Sequence, residues 1–156
     1  MMESKYFKLE EFLRSSTARK NKIFNLPSFE VVEHIKEMLP VLNELRAAWG
    51  SALTITSGFR SQELNTMVGG VKTSAHLTGY AADLVPANGE LDKFIEFCKK
   101  FFKDRVDFDQ CIIEQVKGDV RVAANTYRKD EARKWVHFGF KNLKGEQRHQ
   151  LFSISK

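Results

Sequence analysis

The spacing of apolar residues divides the chain into helices first and strands later. Over Phe29–Trp49, apolar side chains recur every three to four residues, which predicts one long helix that Ser28 caps and Gly50 ends. Pro40 lies inside this pattern, so we expect the helix to kink or to divide in two there. The segment Leu91–Phe102 has the same periodicity and predicts a second amphipathic helix.

Short apolar or alternating runs bounded by turn residues predict the strands. They cover residues 53–56, 80–85, 109–115 and 135–140, with a weaker candidate at 120–124. We expect a further short helix over residues 61–67, and a short helix with an irregular wrap over residues 6–27. Because helices precede a group of strands, the pattern favours an α+β domain with a small, mostly antiparallel sheet and helices packed on one face. No repeat or linker interrupts the sequence, so we predict a single domain over residues 1–156.

Composition excludes some classes of protein but does not identify the function. The chain has 25 Lys+Arg and 20 Asp+Glu residues, a net charge of +5, and 42% hydrophobic residues, which exclude general disorder. The positive charge suits an anionic partner, but the cations are scattered without interleaved aromatic residues, so nucleic acid is not expected to bind. Cys98 and Cys111 have no ligand spacing and are expected to be reduced core residues. A chain of this length needs no metal merely to fold, so a metal site here would be suspected of chemistry.

The N-terminal segment contains acidic residues and no long apolar run. It predicts neither a secretory signal nor a membrane-spanning helix. The expectation is a monomer that is cytoplasmic as encoded and has no membrane partner.

Two of the four histidines stand in settings that suit metal binding. Strand alternation turns His137 away from its core-facing neighbours, and Asp83 is a carboxylate between apolar residues, which needs a cation, a metal or several donors. Together with His76, they form a three-ligand set of the kind that catalytic zinc uses, with the fourth position open. By spacing alone, the commoner explanation is a satisfied histidine and a salt-bridged Asp83. His34 and His149 are expected to be ordinary surface or helix-face histidines.

The motif around these residues extends over most of the chain. The pattern Ser74-x-His76-x-x-Gly79-x-Ala81-x-Asp83, followed by Trp135-x-His137, resembles the signature of the zinc D-alanyl-D-alanine peptidases that cut peptidoglycan stem peptides. These enzymes are related to phage L-alanyl-D-glutamate endolysins and, more distantly, to the hedgehog signalling domain. Similar segments in family order are the opening residues 6–27, Thr56-Ser57-Gly58-Phe59-Arg60-Ser61, Leu64-Asn65, Val68-Gly69-Gly70-Val71 and Phe108-Asp109-Gln110. The resemblance covers about residues 6–140 and implies a hedgehog-like fold.

The resemblance implies roles for four residues. His76, Asp83 and His137 would bind Zn²⁺, and Arg60 would hold a substrate carboxylate or polarise the scissile carbonyl, since a guanidinium suits both tasks. The plainer alternative for Arg60 is an ion pair with Asp109 or another surface acid. The ligand set favours zinc without excluding another divalent ion.

Three further residues have supporting roles in this prediction. Ser74 is expected to form a hydrogen bond with Asp83 or with a nearby backbone group. Trp135 and Tyr80 are expected to line the floor of the cleft, although aromatic residues near a sheet more often pack in the core.

The general base is where the sequence departs from part of the family. Many members have an acid three residues before the last zinc histidine, but Lys134 occupies that position here, and a lysine accepts a proton only when its pKa is strongly lowered. We predict Glu114, which ends a strand similar to one in hedgehog-like relatives. Alternation puts Glu114 on the side of Ile112 and does not decide whether that side faces the metal. Glu131 is the second candidate, in a charged segment typical of a solvated loop.

These features predict a zinc metallopeptidase that hydrolyses peptide bonds of peptidoglycan stem peptides. Both a D-alanyl-D-alanine carboxypeptidase and an L-alanyl-D-glutamate endopeptidase fit. Because no wall-binding repeat is present, the chain most resembles a phage or prophage lysis enzyme that acts on the cell wall after release by a separate membrane-permeabilising protein. The alternative is a non-catalytic zinc-binding module that binds cell wall or a protein partner, which the missing acid before His137 keeps open.

Overall fold

The computed structural model of the chain describes residues 4–116, 119–123, 126–129 and 133–156. The helices are α1 (Leu9–Leu13), α2 (Ser16–Lys20), α3 (Phe29–Trp49), α4 (Gln62–Met67) and α5 (Leu91–Phe102), with a 3₁₀ helix at Ala75–Thr78. The strands are β1 (Leu53–Ser57), β2 (Ala81–Pro86), β3 (Gln110–Val116), β4 (Asp119–Ala123), β5 (Thr126–Lys129), β6 (Arg133–Gly139) and β7 (Gln150–Ser155). This mixture of helices and strands confirms the α+β class.

The strand order places β2 and β6 side by side within the sheet. Five strands form a sheet in the order β1-β2-β6-β3-β7, and β4 pairs with β5 in a separate hairpin. Every pairing is antiparallel except that of β3 with β7, which is parallel. The mostly antiparallel sheet expected from the sequence is therefore confirmed.

One face of the sheet packs against α3 and α5. Leu84 of β2, Val136 and Phe138 of β6 and Cys111 of β3 are fully buried in this core, together with Cys98 of α5. Both cysteines are free thiols, as expected. Because the helices cover this face, polar side chains at the alternate positions of β2 and β6 project from the opposite one.

The long helix α3 begins and ends at the residues that its pattern predicts. Ser28 caps it by accepting a hydrogen bond from the backbone N–H of Val31, and Gly50 ends it with φ of 82°. Of the two outcomes expected at Pro40, a kink or a division, the division does not occur, since α3 runs unbroken through this residue. Pro40 is exposed, so water can bond the carbonyl group that the proline leaves without a donor.

The remaining differences lie in the short elements. Residues 6–27 contain two short helices where one was expected, and β5 and β7 were not predicted. The weaker strand candidate at 120–124 is β4, apart from its last residue, which lies outside the described residues. Among the helices described, none combines the length and the apolar character that crossing a lipid bilayer requires.

Candidate metal centre

Three buried side chains converge on the face of the sheet opposite α3 and α5. His76, Asp83 and His137 each offer one ligand atom, and these atoms all lie within 4.8 Å of one another. Asp83 Oδ1 is 2.9 Å from His137 Nδ1 and 3.3 Å from His76 Nε2. In a tetrahedral site with bonds near 2 Å, ligand atoms are about 3.3 Å apart, so these separations suit a single small cation.

Neighbouring strands bring two of the three residues together. Asp83 of β2 is paired directly with His137 of β6, and directly opposed residues project from the same face. His76 lies in the 3₁₀ helix that precedes β2, which Gly79 ends in a left-handed conformation with φ of 84°. The helix brings His76 Nε2 to 3.3 Å from the carboxylate oxygen Oδ1 of Asp83.

The hydrogen bonding of His76 leaves one ring nitrogen without a donor or acceptor partner. Its Nδ1 is 2.6 Å from the carbonyl oxygen of Gly58, which can only accept, so Nδ1 carries the proton and Nε2 keeps its lone pair. Nε2 is buried and forms no hydrogen bond in the described part of the chain. Burial lowers the pKa of His76, which favours the neutral ring.

The lone pair of His76 therefore faces the carboxylate of Asp83. The pKa of Asp83 lies below its usual range, although burial alone would raise it, so the carboxylate is ionised. An electron pair and an anionic oxygen facing each other over 3.3 Å repel unless a cation lies between them. Two neutral imidazoles and one carboxylate are a donor set that zinc prefers, so the residues fit the metal that the sequence suggested.

Arg60 lies beside this cluster. Its Nη2 is 3.8 Å from Asp83 Oδ2, and its side chain is only 16% exposed. Asp109 pairs with Arg148 at 2.8 Å, so the alternative that Arg60 pairs with Asp109 is wrong. Burial lowers the pKa of Arg60, and the charges of Asp83 and Glu114 act in the opposite direction.

Two asparagines fix the position of Arg60, and the sequence analysis gave neither a role. Asn65 Oδ1 accepts a hydrogen bond from Arg60 Nη1 at 3.0 Å. Asn25 donates to the carbonyl of Phe59 at 2.9 Å and accepts from the N–H of Ser61 at 2.8 Å, so it holds the backbone on both sides of Arg60. Asn65 and Asn25 both stood inside family-like segments, Leu64-Asn65 and the opening residues 6–27, and this was the available signal for them.

The structure places Glu114 on the face that carries the cluster. Glu114 of β3 is paired with Trp135, two residues from His137 on β6, so Glu114 and His137 project from the same face. The Glu114 side chain is 15% exposed, and its carboxylate is 3.7 Å from Lys156 Nζ. Alternation within the sequence had not decided whether Glu114 lies on the same face as the metal ligands. The second candidate base, Glu131, lies outside the described residues.

The three supporting residues have different outcomes. Ser74 Oγ accepts a hydrogen bond from the backbone N–H of His76 at 3.2 Å, the backbone option of its prediction. Trp135 lines the cleft, as expected. Tyr80 does not: it projects toward the core side, donates a hydrogen bond to Glu37 and stacks on His34. Tyr80 is an odd number of residues from Asp83, which turns it to the other face of the sheet.

A cleft of ≈ 910 Å³ reaches the cluster at Asp83. Arg60 and Trp135 also line it, together with residues of β1 and of the α1–α2 segment. The site thus combines a candidate cation position, a guanidinium and a space of the size that small-molecule and peptide ligands use.

The comparison with known proteins gives the family. The profile of a family described as peptidase M15 matches residues 5–112, more than half of the chain, and the match includes Arg60, His76 and Asp83. His137 and Glu114 lie beyond the matched residues. No curated protein matches the chain. The family indicates a zinc peptidase that acts on peptidoglycan, and the His-Asp-His cluster could bind the metal. The chain belongs to the peptidase M15 family.

Proposed function

We propose that the chain is a zinc-dependent peptidase that hydrolyses peptide bonds of peptidoglycan stem peptides, with His76, Asp83 and His137 as the metal ligands. One observation carries this proposal: three buried ligand atoms lie within 4.8 Å of one another, and the Nε2 lone pair of His76 has no hydrogen bond there. Membership of the peptidase M15 family supports the same reading.

The ligands are held before any metal arrives. Gly58 fixes the ring of His76, and pairing between β2 and β6 fixes Asp83 against His137. A zinc ion bound to these three residues would supply a Lewis acid that brings the pKa of a coordinated water close to neutrality. The protein's remaining tasks are to move protons and to stabilise charge.

Glu114 is proposed as the general base. Its carboxylate takes a proton from the attacking water and afterwards gives that proton to the nitrogen of the leaving amine, which balances the reaction. The shared face of Glu114 and His137 supports this role, and so does the electrostatic interaction between Glu114 and Arg60.

Arg60 is proposed to bind the scissile carbonyl oxygen. When the carbonyl carbon becomes tetrahedral, negative charge develops on this oxygen, and a preorganised cation stabilises that charge more strongly than the neutral carbonyl. The hydrogen bonds from Arg60 to Asn65 and Ser57 hold the guanidinium in place, so little reorganisation is needed during the reaction.

Metal analysis paired with mass spectrometry of digested muropeptides tests the proposal. Protein purified without added zinc should carry about one zinc ion per chain and should release new peptide products from purified muropeptides. Loss of a terminal D-alanine would identify a carboxypeptidase, and cleavage between L-alanine and D-glutamate would identify an endopeptidase.

A matched pair of variants ties the result to the site. Asp83→Asn should lose both the zinc and the hydrolysis, whereas Asp92→Asn, at a side chain 90% exposed on α5, should keep both. Zinc without hydrolysis on any wall preparation would instead support the non-catalytic zinc-binding module. A parent protein that binds no zinc and releases no products would contradict the proposal.

A further inference from the structure

The cleft is strongly basic. Five cationic residues line it: Arg14, Arg19, Arg60, Arg133 and Lys134. Among the described residues that line the cleft, Asp83 is the only acid, and it belongs to the candidate metal centre. The residues that line the cleft therefore carry more positive than negative charge.

Arg14 and Arg19 stand out from the other arginines. Arg14 directly follows α1, Arg19 lies in α2, and both are exposed. Within the parts of the chain that the structure describes, neither guanidinium has a hydrogen bond, an ion pair or a ring contact. By contrast, Arg105 pairs with Glu44 and Asp107, and the ion pairs fix its position.

Like charges that converge on one concave surface repel each other and attract an anion. A cleft with low-dielectric walls focuses this field and raises the local concentration of ligands of opposite charge. A guanidinium can bind a carboxylate through two parallel hydrogen bonds, which adds geometric selectivity to the attraction. Ser15, Ser16 and Thr17 line the cleft between the two arginines and offer hydroxyl groups.

We propose that Arg14 and Arg19 form a subsite for a free carboxylate of the substrate peptide, away from the bond that is cut. This inference rests on the proposed function, because it takes the ligand of the cleft to be the peptide that reaches the metal centre. The subsite and Asp83 share one cleft, so one molecule can occupy both. A stem peptide carries carboxylates along its length unless they are amidated, which distinguishes it from phosphate polymers.

Two synthetic stem peptides that differ by one group test the subsite. In one peptide a carboxylate away from the scissile bond is free, and in the other it is a carboxamide. The parent protein should cleave the carboxylate peptide with kcat/KM roughly tenfold higher. In Arg14→Gln/Arg19→Gln, this ratio should fall toward one. The preference of the parent should also weaken when the salt concentration rises.

A control in the same segment separates local charge from net charge. Lys20→Gln/Lys22→Gln removes two exposed cations that adjoin Arg19 but do not line the cleft, and this variant should keep the preference of the parent. Equal kcat/KM for both peptides with the parent, or an unchanged preference in the arginine variant, would overturn the subsite.

Binding distinguishes failure of the subsite from failure of the proposed function. If the parent cleaves neither peptide, the proposed function fails, and calorimetric titration of both peptides then decides the subsite alone. Tighter binding of the carboxylate peptide by the parent, lost in the arginine variant, would support it. Equal affinities for the two peptides would overturn it.

Discussion

Asn65 holds the guanidinium of Arg60 with a buried amide. Its Oδ1 accepts from Arg60 Nη1, and its Nδ2 donates to the carbonyl of Val71 at 3.0 Å, while the residue is 1% exposed. A Cβ atom at Gly70 would lie 2.1 Å from Asn65 Oδ1 and 2.8 Å from Arg60 Nη1. The orientation of Arg60 thus depends on an asparagine behind it and on a glycine that makes room for both.

Asn65→Ala should lower catalysis without removing the metal. The arginine would lose a fixed partner, and misplacement of a catalytic group costs up to about a hundredfold in rate. We expect kcat to fall by roughly ten- to a hundredfold while the zinc content stays at that of the parent. Steady-state kinetics on muropeptides and metal analysis would measure both. Thr66→Ala, an exposed position on the same helix, is the control and should leave kcat unchanged. An unchanged kcat in Asn65→Ala would show that Asn65 does not position Arg60 for the reaction.

Glu114→Gln should abolish most of the hydrolysis and leave the zinc bound. Positioned acid–base groups contribute about 10²–10⁴ to rate, so a loss of that size is expected in kcat. Glu96→Gln, at an exposed helix residue paired with Lys99, serves as the control. Parental activity in Glu114→Gln would exclude Glu114 as the base and direct attention to Glu131.

Gly58→Ala should destabilise the fold and the metal site together. A Cβ at Gly58 would lie 2.4 Å from the carbonyl oxygen of Phe12, whose backbone cannot yield easily, and the Gly58 carbonyl orients His76. Such overpacking costs typically about 1–3 kcal/mol of unfolding free energy. Zinc affinity should fall as well. Denaturant unfolding and competition with a zinc chelator would measure the two effects.

Gly139→Ala provides the matched comparison. A Cβ there would meet its nearest neighbour, His137 Nε2, at 3.5 Å, an ordinary van der Waals contact. Its unfolding midpoint should therefore stay close to that of the parent. Similar destabilisation by both substitutions would contradict the role assigned to the contact between Gly58 and Phe12.

The contribution of Glu37 to stability should depend on pH. Hydrogen bonds from Lys141 and Tyr80 lower the pKa of Glu37 below its ordinary value of 4.5. The folded state therefore holds this proton less tightly than the unfolded chain, so the stabilisation is present above pH 4.5 and is lost as the pH falls through the lowered pKa. Glu37→Gln should be less stable than the parent at pH 7, and the difference should shrink toward pH 3. Urea unfolding at several pH values would measure it, and a constant difference would contradict this origin.

Local pattern predicted the face of His137 but not which strands are neighbours. Alternation turned His137 away from the core and placed Asp83 only between apolar residues, and the structure puts these two residues opposite each other. Their pairing joins positions 54 residues apart, and no local pattern contains that register. The same gap explains Glu114, whose face could be assigned only once β3 was known to pair with β6.

The failure to predict β7 and the role of Asn25 also has physical causes. In β7, neighbouring Leu151 and Phe152 are both partly exposed, so this edge strand has no clear alternation between core and solvent. Asn25 acts through backbone atoms of a segment far along the chain, which residue type alone does not indicate.

The three candidate ligands differ in how firmly the fold holds them. Asp83 and His137 lie on strands bonded on both sides, so they can move only with the sheet, whereas His76 lies on a single turn tied by Gly58 and by the contact of His34 with Thr78. Departure of the ion should begin with displacement of this turn. The residence time of zinc is then governed by one local opening, and a chelator should strip the protein much faster than the protein unfolds.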